Sequence, residues 1–533
     1  MKITLLSTST HPSDQGLRTL SACLKREGHQ VKMVFLPLQE NDYSSTYSPE
    51  IVEQIDKVIE GSGLIGIGAM SSTSTRAIHL IKHYESKGIP VVWGGPAPTF
   101  FPEKCFQNCN IVAVGECEHS LMELAKKLET KEDISTIANL YIRLNNQEYK
   151  NPVRSPVNDL DELAHPDYDI EEQLILENGK LIPFEERFLA GIIYFQTERG
   201  CPQACSFCTN NILRDLYKGK SDRLRTHSVN YVIEELSRMQ KKFPSIGAFD
   251  LRDETFTIRN IEWIREFSQK YIASKIGIRL KCLAEPASMA AEQISEEKIK
   301  LLVDAGLTDI IIGIQSGSDK LNFEVYNRFI TKKQLLKTAQ VLNKFKDKLT
   351  VMYDVISCNP YESTQDIIDT IQLVLELPPP YFLSVNNLIF FEGTPLYKRA
   401  LQDGHIKSET DTAEMLNYWD RWQHIKLKKK NPYLNLVLNL MRGVATTKRI
   451  GLLPRKTIKK LISDSTLQFN LKHELPTYTV GSMVQVLDYM RENLAKPIYR
   501  KASPEFKQWY DKRRYKSSIK IKEHNIQIEN PNQ

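Results

Sequence analysis

The chain has 533 residues, of which 41% are hydrophobic and 26% are charged, and its net charge is +6 at pH 7. This composition predicts a globular protein with several domains, because one hydrophobic core rarely organises more than about 300 residues. The small net charge gives no reason to expect nucleic acid binding, and no apolar run reaches the roughly 18 residues of a membrane-spanning helix.

Residues 1–130 alternate between short apolar runs and amphipathic segments, as in a doubly wound parallel sheet. The predicted strands are Ile3–Ser7, Val31–Leu36, Leu64–Met70, Pro90–Gly94 and Ile111–Gly115. A helix is predicted over Gly16–Gly28, with the last glycine suited to a C-cap. Ligands of such sheets bind beyond the carboxyl ends of the strands. In this chain those ends carry small or polar residues.

Residues 131–189 contain several prolines and an acidic stretch, and they predict an irregular connector. The strand and helix alternation resumes over residues 190–400. The predicted strands there are 190–195, Ile246–Leu251, Ile276–Leu283, Asp309–Ile314, Thr350–Ser357 and Phe382–Phe391. Six strand–helix units predict a partial (β/α)6 barrel, whose chemistry is expected at the carboxyl ends of the strands. Residues 401–533 predict a mostly helical C-terminal domain with a polar tail, expected to cover the substrate.

A cysteine motif follows the first barrel strand. Cys201, Cys205 and Cys208 have the spacing C-x3-C-x2-C within ten residues that begin at Arg199. Structural zinc sites and electron-transfer iron–sulfur clusters normally have four protein ligands, and no fourth cysteine lies nearby. A 4Fe–4S cluster held by three thiolates leaves one iron open to a small molecule. A zinc loop, or three unrelated buried cysteines, is the alternative.

With this motif and the preceding doubly wound domain, the chain resembles the cobalamin-binding radical S-adenosylmethionine enzymes. The resemblance implies a Rossmann-like (flavodoxin-like) cobalamin domain, a radical barrel and a variable C-terminal domain. It implies that the three cysteines hold a 4Fe–4S cluster whose open iron binds S-adenosylmethionine, and that Phe207 packs against the cluster. The contacts it implies to S-adenosylmethionine are Asp253 and Glu254 for the methionine amino group, Gln315, Ser316 and Gly317 for the ribose, and Ile356 and Glu362 for the adenine.

The resemblance also implies cobalamin contacts in residues 1–130. These are the glycine pair Gly94 and Gly95, Ser71 and Ser72 beside the nucleotide tail, and Gly115 and Glu116 of a Gly-Glu-x-Glu motif. One departure concerns the Asp-x-His-x-x-Gly motif, whose histidine binds cobalt in cobalamin mutases and methionine synthase. His11 occupies the histidine position, but the aspartate and the glycine are absent. His11 is therefore predicted not to bind cobalt, since metal-bound histidines usually need a second partner.

These features predict an enzyme that reductively cleaves S-adenosylmethionine and uses cobalamin to methylate an unactivated carbon of a small-molecule or lipid metabolite. A cobalamin-dependent cyclase or ring-rearranging enzyme, and a non-catalytic cobalamin or iron–sulfur sensor, are the alternatives. The expected electron donor is a flavodoxin or a ferredoxin. A cytoplasmic location is expected because the nine cysteines suit a reducing compartment. No nucleic acid partner or membrane contact is predicted, and the sequence does not identify the substrate or the oligomeric state.

Overall fold

The computed structural model describes residues 1–473 except 10, 38–45, 222–223, 290–291 and 407–430, and also describes residue 479. The described chain forms two compact units. The first consists of residues 1–283, 325–328 and 389–406, and the second of residues 284–324, 329–388 and 431–473. The division falls within the predicted barrel, after its third strand. Much of the predicted C-terminal domain, including its polar tail, lies outside the described residues.

The first unit begins with a nine-stranded sheet in the order β7-β6-β5-β4-β3-β1-β2-β8-β9. Its strands are β1 (Lys2–Ser7), β2 (Gln30–Phe35), β3 (Leu64–Gly68), β4 (Val91–Gly94), β5 (Ile111–Ala113), β6 (Leu140–Leu144), β7 (Gln147–Lys150), β8 (Gln173–Glu177) and β9 (Lys180–Pro183). The first five are parallel neighbours. All five strands predicted for residues 1–130 are thus confirmed, and their apolar side chains form a buried core with the surrounding helices.

In the described part of residues 1–130, six helices accompany this sheet. They are α1 (Gln15–Arg26), α2 (Pro49–Ile59), α3 (Ser74–Ser86), α4 (Pro96–Phe100), α5 (Pro102–Phe106) and α6 (Glu118–Thr130). The α1 helix matches its prediction within two residues. The Asp14 carboxylate caps it by accepting a hydrogen bond from the backbone N–H of Leu17. Gly28 follows the helix with φ of 85°, in the left-handed region that favours glycine.

The predicted connector is more regular than its prolines indicate. Two antiparallel hairpins, β6–β7 and β8–β9, extend the two edges of the sheet. Their turns contain Asn145-Asn146 and Asn178-Gly179, all with positive φ. Asparagine and glycine favour the two-residue hairpin turns that require this conformation. These pairs were the available hairpin signals in a segment predicted to be irregular.

The first unit also contains the start of the radical-enzyme part. Its strands β10 (Gly191–Phe195), β13 (Ile246–Leu251) and β14 (Arg279–Ala284) are parallel. A short antiparallel hairpin, β11 (Glu198–Gly200) with β12 (Leu224–Thr226), brackets the cysteine motif. The helices are α7 (Asn210–Leu216), α8 (Val229–Lys242) and α9 (Ile261–Ala273).

The second unit contains three further parallel strands, β15 (Leu307–Gln315), β16 (Thr350–Ser357) and β17 (Tyr381–Asn387). Its helices are α10 (Glu292–Ala305), α11 (Asp319–Glu324), α12 (Lys332–Asn343) and α13 (Thr364–Glu376). The next helix, α14 (Pro395–Gln402), belongs to the first unit.

The described C-terminal residues are only partly helical. They contain α15 (Pro432–Leu440), α16 (Arg455–Leu461) and α17 (Asp464–Lys472), and three short strands, β18 (Gly443–Ala445), β19 (Arg449–Ile450) and β20 (Leu453–Pro454). The strands were not predicted, and β18 pairs with β17 in antiparallel orientation. Among the helices of the described residues, none is both long and apolar enough to cross a membrane.

Candidate active site

A cavity of about 1330 Å³ opens in the first unit at the carboxyl ends of the sheet strands. Its wall combines loops of the N-terminal sheet with the segment that carries the cysteine motif. The lining residues include His11, Met70, Gly94, Gly95, Gly115 and Glu116 from the sheet side, and Tyr194, Arg199, Cys201, Asn210, Tyr217 and Glu254 from the other side. The two predicted domains therefore contribute to one cavity.

The three motif cysteines lie in the loop between β11 and α7, and all three are partly exposed. Cys201 lines the cavity. Burial raises the pKa of Cys201 to about 12 and that of Cys208 to about 11, and the nearby Glu254 charge adds to both shifts. Bare thiolates are therefore disfavoured in this loop, and a positively charged metal centre would stabilise them.

Within the described residues, no three His, Cys, Asp or Glu side chains are gathered around one point as ligands of a single metal ion. Ligands of an iron–sulfur cluster need not meet at one point, because each thiolate binds a different iron atom. Three thiols on one short loop at the cavity wall are a donor set that fits such a cluster.

Hydrogen bonds hold the cysteine loop in place. The Asn211 side chain donates to the carbonyls of Cys205 (2.6 Å) and Cys208 (2.9 Å). The backbone N–H of Ser206 donates to the Tyr326 carbonyl at 2.9 Å. Phe207 lies edge-on to the Tyr326 ring, with 5.2 Å between ring centroids. These contacts fix the loop conformation that presents the cysteines.

Asp253 lies after β13, but it does not face the cavity. It is 1% exposed, and its carboxylate accepts hydrogen bonds from the backbone N–H groups of Thr197 (2.6 Å) and Glu198 (3.0 Å). The Arg259 guanidinium also donates to it at 3.0 Å. Its oxygens are therefore used inside the protein, and its contact with the methionine amino group stays a prediction.

The neighbouring Glu254 faces the cavity instead. Burial among protein atoms and the nearby Asp253 charge raise the pKa of Glu254 above its ordinary value, while a hydrogen bond with Asn210 opposes the shift. A cationic partner would stabilise the ionised carboxylate. Of the two predicted carboxylates, Glu254 is therefore the one that lines the cavity.

The predicted glycine pair lies in the cavity wall. Gly95 has φ of 102°, and a Cβ atom on it would lie 3.0 Å from the carbonyl oxygen of Ala69. The backbone of the two loops therefore approaches closely only with glycine at this position. Ser71 and Ser72 form a turn just after Met70, and Met70 rather than either serine is part of the cavity wall. Their place beside the nucleotide tail of cobalamin stays a prediction.

Gly115 and Glu116 line the cavity, but both have protein partners. Gly115 has φ of 80°, and a Cβ atom on it would lie 2.2 Å from the hydroxyl oxygen of Tyr217. Glu116 accepts hydrogen bonds from Arg199 (2.8 Å) and Arg225 (3.1 Å). These contacts join the sheet to the segment that carries the cysteines, and the role of the two residues as cobalamin contacts stays a prediction.

His11 also lines the cavity, and its ring contacts Tyr194 with 4.4 Å between centroids. Its Nδ1 accepts a hydrogen bond from the backbone N–H of Ser13 at 3.2 Å and contacts the Ser13 hydroxyl at 2.5 Å. Burial and the Arg252 and Arg18 charges lower the pKa of His11, which favours the neutral ring. A neutral imidazole that accepts at Nδ1 carries its proton on Nε2. Neither nitrogen then offers a free lone pair, which supports the prediction that His11 does not bind cobalt.

The remaining predicted contacts lie in the second unit. Gln315 ends β15 with φ of 58°. Ser316 is fully buried, and its hydroxyl lies 3.1 Å from that of Thr370. A Cβ atom on Gly317 would lie 2.5 Å from the carbonyl oxygen of Asp369. Gly317 is therefore required by close packing against α13, and its role beside the ribose, like those of Gln315 and Ser316, stays a prediction.

Two further predicted residues of the second unit, Ile356 and Glu362, are 8% and 2% exposed. Ile356 lies in β16, and a Glu362 carboxylate oxygen accepts the backbone N–H of Asn359 at 3.3 Å.

Sequence reasoning did not single out many residues of the cavity wall, among them Arg199, Tyr217 and Tyr194. Arg199 stands two positions before Cys201, and a basic residue beside a metal-binding loop was an available signal. Tyr217 follows the last residue of α7 and Tyr194 lies in strand β10, where an aromatic residue is ordinarily part of the core. Only the folded structure shows that both face the cavity.

Two family models match the chain. The model of the radical SAM superfamily matches residues 196–374, and that of the B12 binding domain matches residues 1–125. An uncharacterized methyltransferase of Pyrococcus horikoshii is 27% identical over 371 residues, which are 68% of this chain and 72% of the relative. The anaerobic magnesium-protoporphyrin IX monomethyl ester cyclase of Rubrivivax gelatinosus is 24% identical, over 61% of this chain and 55% of the relative.

A solved structure has a similar fold. It is the radical S-adenosylmethionine methyltransferase TsrM of Kitasatospora setae, with tryptophan substrate and a S-adenosylmethionine analogue bound. The TM-score is 0.60 at 16% identity, and the similarity covers 75% of this chain and 76% of TsrM. The predicted combination of a cobalamin domain with a radical-enzyme domain is thus confirmed. The chain belongs to the radical S-adenosylmethionine enzymes that carry a B12-binding domain, and their cofactors are a 4Fe–4S cluster, S-adenosylmethionine and cobalamin.

Proposed function

We propose that the protein transfers a methyl group to an unactivated carbon of a small-molecule or lipid metabolite. The observation that carries this proposal is the shared cavity. Gly94 and Gly95 of the B12-binding domain line the same space as Cys201 and Glu254 of the radical domain. A volume of about 1330 Å³ exceeds the upper range of roughly 1,000 Å³ for ordinary small-ligand pockets. The size suits more than one bound molecule.

Cys201, Cys205 and Cys208 would hold the cluster, and Glu254 would bind the methionine ammonium by a charge-assisted hydrogen bond. When bound, the cluster and S-adenosylmethionine supply a 5′-deoxyadenosyl radical, and cobalamin supplies the methyl group. Gly94 and Gly95 would lie beside the nucleotide tail of the cobalamin. Phe207, packed on Tyr326, would shield the cluster loop from water.

In the second unit, Gln315 and Ile356 remain proposed contacts for the adenosyl part of S-adenosylmethionine. Glu362 also stays in this proposal, although it is 2% exposed. A flavodoxin or a ferredoxin is the proposed electron donor, because radical cleavage of S-adenosylmethionine consumes one electron.

The methyltransferase of Pyrococcus horikoshii supports methyl transfer as the reaction. The cyclase of Rubrivivax gelatinosus favours a second candidate, in which the same cofactors close a ring. The two reactions differ in their carbon balance. Methylation adds one carbon to the product, and restoring the methyl group on cobalamin would consume a second S-adenosylmethionine and one further electron from the donor, whereas cyclisation adds no carbon.

The proposal is tested with S-adenosylmethionine that carries a deuterated methyl group, a strong reductant and a panel of candidate metabolites. We expect a product with a labelled methyl group, together with S-adenosylhomocysteine and 5′-deoxyadenosine in comparable amounts. A variant with Cys201, Cys205 and Cys208 replaced by alanine is the control and should form no 5′-deoxyadenosine. Turnover to 5′-deoxyadenosine with a product that gains no carbon would contradict methyl transfer and support the cyclase.

A further inference from the structure

The loop between β5 and α6 is tied to the hairpin that precedes the cysteine motif. Arg199 of β11 donates from Nη1 to Glu116 at 2.8 Å and from Nη2 to Glu118 at 2.7 Å. Arg225 of β12 donates from Nη1 to Glu116 at 3.1 Å. Two guanidinium groups and two carboxylates thus form one charge-balanced network.

This network is largely removed from solvent. The side chains of Arg225 and Glu118 are 7% and 8% exposed, and those of Glu116 and Arg199 are 18% and 24% exposed. Burial acts to raise the pKa of Glu118, but the Arg199 charge and hydrogen bond outweigh it and hold that pKa below its ordinary value. Breaking a buried ion pair of this kind is strongly destabilising, because removal of one partner leaves the other as an unpaired, desolvated charge.

A second connection reaches the same loop from beyond the cysteines. The backbone N–H of Glu116 donates to the Tyr217 hydroxyl at 2.6 Å, and Tyr217 follows the last residue of α7. The Tyr217 ring covers Gly115, where a Cβ atom would lie 2.2 Å from its hydroxyl oxygen. The loop after β5 is thus held by residues on both sides of the cysteine motif in the chain.

We propose that Glu116, Glu118, Arg199, Arg225 and Tyr217 form a positioning clamp that sets the distance between the cluster and the cobalamin. The clamp rests on the proposed function for the presence of the two cofactors. None of its residues needs to touch the reacting atoms. Reactions between bound groups are sensitive to such positioning, since a displacement of about 1 Å can reduce a rate by about 100-fold.

Two substitutions test the clamp. Glu116→Gln keeps the size of the side chain and removes the charge that both arginines share. Arg199→Lys keeps the positive charge but lacks the planar fork that reaches two carboxylates, so a smaller effect is expected. Glu123→Gln is the matched control. Glu123 of α6 accepts a hydrogen bond from the Arg154 guanidinium at 2.8 Å and takes no part in the clamp.

The first measurement is hydrogen exchange of the cofactor-free protein. In Glu116→Gln we expect peptides that cover residues 199–216 to exchange at least about tenfold faster than in the parent protein. The exchange rate of these peptides in Arg199→Lys should lie between those of Glu116→Gln and the parent protein, and the rate in Glu123→Gln should equal that of the parent. Because no cofactor is present, this result is independent of the proposed function. Unchanged exchange in both clamp variants would overturn the clamp.

The second measurement is electron paramagnetic resonance of the reconstituted protein. In the parent, the reduced cluster should speed the spin relaxation of the cobalt(II) corrin, and this enhancement should weaken in Glu116→Gln while both cofactors stay bound. Loss of cobalamin with the cluster retained would show that Glu116 is a cobalamin ligand and would overturn the clamp. If the parent binds neither cofactor, the proposed function fails, and the hydrogen exchange result still decides whether the residues hold the cysteine segment.

Discussion

At the scale of single residues, the adjacent carboxylates Asp253 and Glu254 have different surroundings. We therefore expect substitution of Asp253 to affect stability and substitution of Glu254 to affect ligand binding. Asp253 is paired with the buried Arg259 and with two backbone N–H groups. We expect Asp253→Asn to lower the free energy of unfolding by about 3 kcal/mol, because it leaves a buried charge underpaired. Glu254→Gln should leave stability unchanged and weaken S-adenosylmethionine binding about tenfold, as expected for a lost hydrogen bond to a charged group. Thermal unfolding and equilibrium binding separate the two effects.

His11 leads to a second prediction at this scale. Nδ1 of His11 accepts a hydrogen bond from the Ser13 backbone and contacts the Ser13 hydroxyl, so it has no lone pair for cobalt. His11→Ala should therefore leave cobalamin bound and its visible spectrum unchanged. The electron paramagnetic resonance spectrum of the cobalt(II) form should show no nitrogen splitting from a protein ligand, either in the parent or in His11→Ala. Nitrogen splitting that is present in the parent and lost in His11→Ala would contradict the hydrogen-bond arrangement described for this ring.

Glu198 gives a prediction about pH. Burial raises the pKa of its carboxyl to about 8, with Arg259 opposing the shift and the Asp253 charge adding to it. A folded-state pKa above the unfolded value means that the neutral form is favoured by folding, so stability falls as pH rises from about 4.5 towards 8. Glu198→Gln reproduces the neutral carboxyl and should flatten the fall. Thermal unfolding between pH 5 and pH 9 is the measurement, and equal slopes in the two proteins would contradict it.

At the scale of elements, the sequence predicts the parallel strands and several helices well, because apolar runs and capping residues are local signals. All five strands of the B12-binding domain are present. The hairpins of the connector were missed, since their edge strands are short and half exposed. The roles of Gly115 and Gly317 also lay beyond the sequence. Each glycine is required by a group distant in the chain, Tyr217 for Gly115 and the α13 backbone for Gly317.

The contact between Gly115 and Tyr217 supplies the prediction at this scale. Gly115 and Gly179 have similar positive φ values of 80° and 79°, but only Gly115 is crowded, since no atom lies within 4 Å of a Cβ atom on Gly179. Alanine at either position carries the conformational cost of about 1 kcal/mol. Gly115→Ala should cost a further 1–3 kcal/mol or so, because Tyr217 must move. Chemical denaturation of both variants measures the difference in the free energy of unfolding. Equal losses of stability would show that Tyr217 and the loop between β5 and α6 move apart at no cost.

At the scale of the whole molecule, the pairing of two cofactor domains was predictable, whereas the composition of the cavity they share was not. The cysteine spacing and the glycine pair each indicate one cofactor. The side chains that line the space between them, such as Tyr194 and Met70, come from segments whose sequence resembles ordinary strand and loop residues. The burial of Asp253 likewise depends on its pairing with Arg259, which no spacing rule connects to this carboxylate.

One shared cavity predicts that cobalamin protects the cluster loop even when no cluster is bound. Cys201 lines the same space as Gly94 and Gly95, so saturating cobalamin should slow alkylation of Cys201 in the cluster-free protein. Cys358, which is 3% exposed in the second unit, is the reference thiol, because it reacts only when the protein opens. Mass spectrometry of the labelled peptides gives both rates. A selective effect on Cys201 is expected. Equal slowing of Cys358 would indicate general stabilisation by a bound ligand, and an unchanged Cys201 rate would mean that cobalamin binds away from the cysteine loop.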